Sequence, residues 1–138
     1  MDYDVNCVFC KISHGIVPST KLYEDDDVIA FLDINPVTYG HALVIPKKHY
    51  ESFLSTSKDV MHKAMDLAQR IGQVQIKQLG AKGVNILCNC GESAGQAIPH
   101  FHIHVIPRYN ATDGFKLEMK EVQSKNLPAL AEKLKQSI

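Results

Sequence analysis

The 138-residue sequence has no surplus of charge of either sign: 15 Lys and Arg stand against 15 Asp and Glu, for a formal net charge of zero. Holding a nucleic acid or an anionic membrane as a main task needs an excess of Lys and Arg, so neither is expected as a partner. A small phosphate ligand stays open, because it needs only a local site. Long apolar runs are also missing. The longest, such as residues 42–46, fall far short of the roughly 20 residues that cross a bilayer. The opening MDYDVNCVFC is acidic and polar, without the basic start and apolar stretch of a secretory leader. A cytoplasmic location is therefore expected, where thiols stay reduced. The four cysteines then fit metal ligation or burial better than disulfides. Repeats, low-complexity tracts and long linkers are absent. What remains is a chain with 45% apolar residues, long enough for one self-sufficient core.

The hydrophobic pattern predicts an α+β fold. Residues 6–13 form a short turn or helical segment that carries two cysteines. Residues 20–24 and 28–32 read as strands joined by the acidic turn Asp25-Asp26-Asp27. A connection with Asn35-Pro36 and Gly40 leads to a third strand over 41–45, ended by Pro46. The one long helix covers about 57–79, with Thr56 and Asp59 as its start signal. Its apolar stripe is Val60, Ala64, Leu67, Ala68, Ile71, Val74 and Leu79, and Gly80 stops it. Strands follow at 83–90 and 98–107, separated by a loop at 91–95. Pro128 opens a terminal helix over 127–138. Antiparallel strands with few helices give α+β.

The segment His100-Phe101-His102-Ile103-His104-Val105-Ile106 carries the most chemistry. Side chains alternate faces along a strand, so three imidazoles point one way and Phe101, Ile103 and Val105 enter the core. Neighbouring imidazoles start about 6.6 Å apart and the outer two about 13 Å apart. That spacing suits several atoms of one extended ligand better than one metal. Cys7-Val8-Phe9-Cys10 is a C-x-x-C, which can chelate a tetrahedral Zn²⁺. His49 and one member of the histidine strand are candidates for the other two ligands. A redox use of the pair is the weaker reading, since no thioredoxin-like strand precedes it. Cys88 and Cys90 read as small buried residues. Gly91-Glu92-Ser93-Ala94-Gly95 matches G-x-S-x-G, but no helix follows Ser93 and no acid precedes the histidines in the order a serine hydrolase needs. As a loop, its glycines and backbone N–H groups can approach a phosphate.

These segments together resemble the histidine triad (HIT) family. The resemblance rests on His100–Ile106, Cys7-x-x-Cys10-Lys11-Ile12, Phe31-Leu32-Asp33-Ile34, Gly40-His41-Ala42-Leu43-Val44-Ile45-Pro46-Lys47-Lys48-His49, Ala94-Gly95-Gln96 and Ile106-Pro107-Arg108-Tyr109. It covers about residues 6–115 and looks closest to compact members that keep a zinc site. It implies a HIT-like fold with a sheet of about five antiparallel strands, and a 116–138 extension packed on the domain or on a dimer. It also implies a nucleotide hydrolase in which His102 attacks the α-phosphorus and carries the nucleotidyl group. His104 and His41 would contact the phosphate or the leaving group. Asp33 would bind the ribose of a purine nucleotide, and Phe9, Ile12, Phe31, Leu32 and Ile34 would hold the base. Asn89, Gly95, Gln96 and Ala97 would border the phosphate. The zinc would be structural, held by Cys7, Cys10, His49 and His100, with no cofactor needed for the chemistry. One departure stands out: Ala97 occupies a position where several phosphoramidases carry Ser. A homodimer is implied, paired through the long helix and a sheet edge. The competing readings are a nucleotide-binding module without catalysis and a metal-dependent phosphohydrolase.

Overall fold

A computed structural model describes residues 3–123 and 126–138. One five-stranded antiparallel sheet organises the chain. A short helix α1, Val8–Ser13, precedes the hairpin β1, Lys21–Glu24, and β2, Val28–Leu32. Strand β3, Ala42–Pro46, leads to the long helix α2, Lys58–Leu79. Strands β4, Gly83–Leu87, and β5, Ile103–Arg108, follow, and helix α3, Leu127–Lys135, ends the chain. The strand order is β1-β2-β3-β5-β4. The expected α+β class and five-strand antiparallel sheet are therefore present.

Both faces of the sheet are covered, and the two-residue period decides what each side chain meets. Val28, Ala30, Ala42, Val44, Phe101, Ile103 and Val105 pack against Ala64, Leu67, Ala68 and Ile71 of α2. Ile29, Phe31, Leu43 and Ile45, one residue out of phase, pack against Phe9 and Ile12 of α1. Strands β2 and β3 are apolar at every position because they lie between two layers. The edge strands β1 and β4 are half-buried or exposed. Helix α2 ends at Gly80, whose φ of 73° lets its N–H turn back to the Gln75 carbonyl.

Three boundaries differ from expectation. Ser57, not Thr56, is the N-cap of α2 and makes no side-chain cap bond; the Thr56 hydroxyl donates to the Ser52 carbonyl instead. Strand β4 stops at Leu87, short of Cys88 and Cys90, which are half-buried. Strand β5 starts only at Ile103. Ahead of it the chain is bent by Pro99, and the Phe101 N–H donates to the Tyr50 carbonyl rather than to a neighbouring strand. Helix α3 has no buried residue, and Leu127, Leu130 and Leu134 are exposed. Residues 124 and 125 of the expected 116–138 extension lie outside the described residues.

Candidate functional site

The face of the sheet opposite α2 carries the histidines. His100 and His102 lie on the bent lead-in to β5, and His104 is on β5 itself. Their rings are closer than an extended strand predicts: those of His102 and His104 are 5.1 Å apart. Phe9 of α1 packs edge-on against both His100 and His102. The bend before β5 is what gathers them.

Backbone groups fix the tautomers of His100, His102 and His41, and His41 fixes that of His104. The Nδ1–H of His102 donates to the His100 carbonyl at 2.7 Å, which leaves the Nε2 lone pair free. The Nε2–H of His100 donates to the Pro46 carbonyl at 3.0 Å, leaving Nδ1 free on the other side. The Val37 N–H donates to Nδ1 of His41 at 3.2 Å. Neutral His41 therefore carries its proton on Nε2 and donates it to Nδ1 of His104, 2.9 Å away. His104 in turn carries its own proton on Nε2. Burial holds all three of these imidazoles neutral. It lowers the pKa of His102 and of His41, the latter against the pull of Asp33. For His104, burial and the neighbouring His102 and His41 push it down to about 4.

A cleft of about 360 Å³ opens between α1, β2 and these histidines. Its lining includes His102, His104, Asp33, Gly95 and Ala97 together with Phe9, Ile12, Phe31, Leu32 and Ile34. Most residues expected at the site from sequence are thus brought together. Ile34 stands at the rim, 85% exposed. Asp33 accepts from the Asn35 N–H with one carboxylate oxygen, and the other lies 3.6 Å from His41 Nε2.

Three residues sit elsewhere. His41 is only 3% exposed and stands behind His104, outside the cleft wall. The Gln96 amide is tied to main chain: its oxygen accepts from the Gly91 N–H of its own loop, and its nitrogen donates to the nearby Ile98 carbonyl and to the Glu51 carbonyl of the segment between β3 and α2. Asn89 donates to the Gly95 carbonyl at 3.3 Å and so braces that loop from behind. Ser93 is exposed on a single 3-10 turn, Glu92–Ala94, with no helix after it. Sequence reasoning missed Val17, Pro18 and Ser19, which also line the cleft. Only the return of the chain after α1 places them there, and no local pattern announces it.

The second constellation lies at the other end of the histidine segment. Ligand atoms of Cys7, Cys10, His49 and His100 all fall within 4.8 Å of one another. Cys7 Sγ is 3.3 Å from His100 Nδ1, and Cys10 Sγ is 3.2 Å from His49 Nδ1 and 3.4 Å from His100 Nδ1. A tetrahedron with Zn–S of about 2.3 Å and Zn–N of about 2.0 Å has S···N edges near 3.5 Å. The donor set therefore fits a structural Zn²⁺. Cys7 also caps α1, accepting from the Cys10 N–H, so helix start and candidate ligand are one residue. Without a cation, burial pushes the Cys10 thiol up to about 11. The Pro46 carbonyl orients His100 as an outer partner does in such sites.

Comparison with known proteins agrees with this geometry. The sequence model of the HIT domain matches residues 14–111. The chain is 46% identical over 110 residues to Protein hit of Bacillus subtilis, covering 80% of this chain and 76% of that one. It is 34% identical over 136 residues to adenosine 5'-monophosphoramidase hnt1 of Schizosaccharomyces pombe, covering 97% and 99%. The crystal structure of a HIT family protein from Bacillus anthracis superposes with a TM-score of 0.90 at 39% identity, covering 97% and 98%. With a triad of histidines on one face of an antiparallel sheet and these likenesses over most of its length, the chain belongs to the HIT domain family.

Proposed function

We propose that this protein is a nucleotide hydrolase acting at the α-phosphate of purine nucleoside phosphoramidates and related conjugates. The observation that carries the reading is His102, whose Nδ1–H is tied to the His100 carbonyl while Nε2 faces a cleft that also holds Asp33. Such an imidazole is a neutral nucleophile already in the reactive tautomer. Nε2 forms a bond to phosphorus as the bond to the leaving group breaks. The leaving amine or alcohol takes a proton from solvent, and the His104 Nε2–H is positioned to donate a hydrogen bond to the leaving atom as that bond breaks. Ala97 has no hydroxyl to share that task. Water then attacks the same phosphorus, the N–P bond breaks, and nucleoside monophosphate departs with His102 restored. That water gives up its proton to solvent. The Asp33 carboxylate is placed to accept from ribose hydroxyls, and the apolar wall of Phe9, Ile12 and Phe31 suits a purine ring. This agrees with the activity for which the fission-yeast relative is named, adenosine 5'-monophosphoramidase.

A structural Zn²⁺ held by Cys7, Cys10, His49 and His100 would tether α1, and with it the base wall, to the histidine segment. Four protein ligands leave it no open position for substrate. A second reading, a metal-dependent phosphohydrolase, has one observation in its favour: the ligand atoms of Asp33, His41 and His104 also lie within 4.8 Å of one another. The Val37 N–H weighs against it, because it occupies Nδ1 of His41 and keeps the proton on the nitrogen a metal would need. The natural setting of this function is a cytoplasmic homodimer with α3 packed on it. Among the described residues, no helix is long and apolar enough to cross a membrane.

The test is a hydrolysis panel of adenosine and guanosine phosphoramidates with an acid quench. Wild type is expected to release nucleoside monophosphate and to show an acid-labile nucleotidyl adduct. His102→Ala should lose at least about a thousandfold in kcat while still binding nucleotide. Normal binding with no turnover and no adduct on wild type would overturn the reading. Activity that vanishes with a chelator and returns with added metal, in protein that stays folded throughout, would favour the metal-dependent alternative.

A further inference from the structure

Gln75 lies on the face of the sheet that carries no histidine. It projects from α2 into an otherwise apolar layer and is 4% exposed. Its Nε2 donates to two main-chain carbonyls, those of Gly40 at 3.1 Å and Val105 at 3.0 Å. Its Oε1 is buried with no hydrogen-bond partner among the described residues. An apolar side chain at this point would avoid the cost of that orphaned oxygen. The amide is therefore a poor choice for packing alone.

The two carbonyls it reaches are informative. Gly40 immediately precedes His41, and Val105 immediately follows His104. The β3–β5 ladder runs through Val44↔Ile103, Leu43↔His104 and Ala42↔Val105 and stops there. His41 lies one residue beyond the last rung, so strand pairing with β5 does not set its height against His104. The Gln75 amide bridges the strands at that level from the other face. Leu79, one turn further along α2, presses on the same point. Gly40 has a φ of 95°, and a methyl group on it would lie 2.5 Å from Leu79 Cδ1.

We infer that Gln75 is a positioning residue for the His41–His104 pair, acting through the backbone from the opposite side of the sheet. It holds the Gly40 and Val105 carbonyls at one spacing and thereby holds the 2.9 Å contact from His41 Nε2 to His104 Nδ1. That contact keeps the proton of His104 on the nitrogen that faces the cleft. The kinetic half of this inference rests on the proposed hydrolase activity; the structural half does not.

The test compares Gln75→Met, which keeps length and removes both donors, with Ile71→Val, which thins the same helix face and removes none. Gln75→Glu is the second variant, because a carboxylate there repels both carbonyls in nearly the same shape. Nitrogen-15 histidine spectra should show one proton linking the His41 and His104 rings in wild type and Ile71→Val. It should be lost or displaced in both Gln75 variants. With adenosine phosphoramidate, kcat in the Gln75 variants should fall on the order of tenfold or more, with KM nearly constant. An unchanged imidazole signal in both Gln75 variants would overturn the inference, as would an equal loss of kcat in Ile71→Val. If wild type hydrolyses no nucleotide ester and the imidazole signal still responds, the positioning role stands and the hydrolase reading falls.

Discussion

His100, His102 and His41 each have one nitrogen assigned by the main chain, His104 has its own assigned by His41, and these assignments set their roles. The carbonyls of His100 and Pro46 and the N–H of Val37 do the assigning. The same burial that keeps the rings neutral makes the protein sensitive to acid. His104 has a folded-state pKa of about 4 against an ordinary 6.5. Between those values the unfolded chain binds more protons at this group than the folded one. Its contribution to stability is thus complete above about pH 6.5 and is lost as pH falls through about 4. Urea midpoints measured from pH 7 down to pH 4 should fall, and His104→Asn should flatten that slope. An identical slope in the variant would show that His104 does not titrate abnormally. The histidine motif itself was plain in the sequence. The cover over His41 was not, since alternation along a strand says nothing about which imidazole stands behind another.

At the scale of elements, α1 is the most dependent on its surroundings. It has six residues, well below the length at which an isolated helix is stable in water. Its supports are the Cys7 cap, the burial of Phe9 and Ile12, and the four-ligand cluster. Replacing Cys10 by Ser should abolish stoichiometric zinc in metal analysis. It should lower the midpoint of thermal unfolding by several degrees, and stripping wild type with a chelator should do the same. Full zinc content in Cys10→Ser would refute the ligand assignment. The C-x-x-C spacing was legible in the sequence, as was α2, although only Ala64, Leu67, Ala68 and Ile71 of its predicted stripe are buried and Val74 and Leu79 are exposed. The start of β5 was not. The alternation of residues 100–106 is that of a strand, yet the first two histidines belong to a bent lead-in, because Pro99 and the Phe101 bond to Tyr50 hold the chain off the ladder there.

For the whole molecule, the unexplained surface is apolar. Ile86 on edge strand β4, Met65 and Ile76 on α2, and Leu127, Leu130 and Leu134 on α3 are all substantially exposed. A nine-residue helix with an exposed leucine stripe is marginal without a surface to rest on. The proposed homodimer, joined along α2 and the β4 edge, would cover part of this area. Sedimentation at micromolar concentration should give twice the chain mass of 15.4 kDa, and Ile76→Glu with Ile86→Glu should shift it to the monomer. A monomeric wild type would refute the arrangement.

The sequence by itself determined the α+β class, the long helix, the inward and outward faces of the strands, and both groups of reactive side chains. Those features follow from period and spacing, which are properties of neighbours in the chain. Tertiary structure alone decided which histidine donates to which, that the Gln96 amide is tied to the Glu51 main chain, and that Gln75 braces His41 from the far side of the sheet. These depend on contacts across 30 to 63 residues of chain, such as Gln75 to Val105 and His41 to His104. No local pattern encodes such a contact. Its geometry is settled only when two faces of a sheet are packed at once.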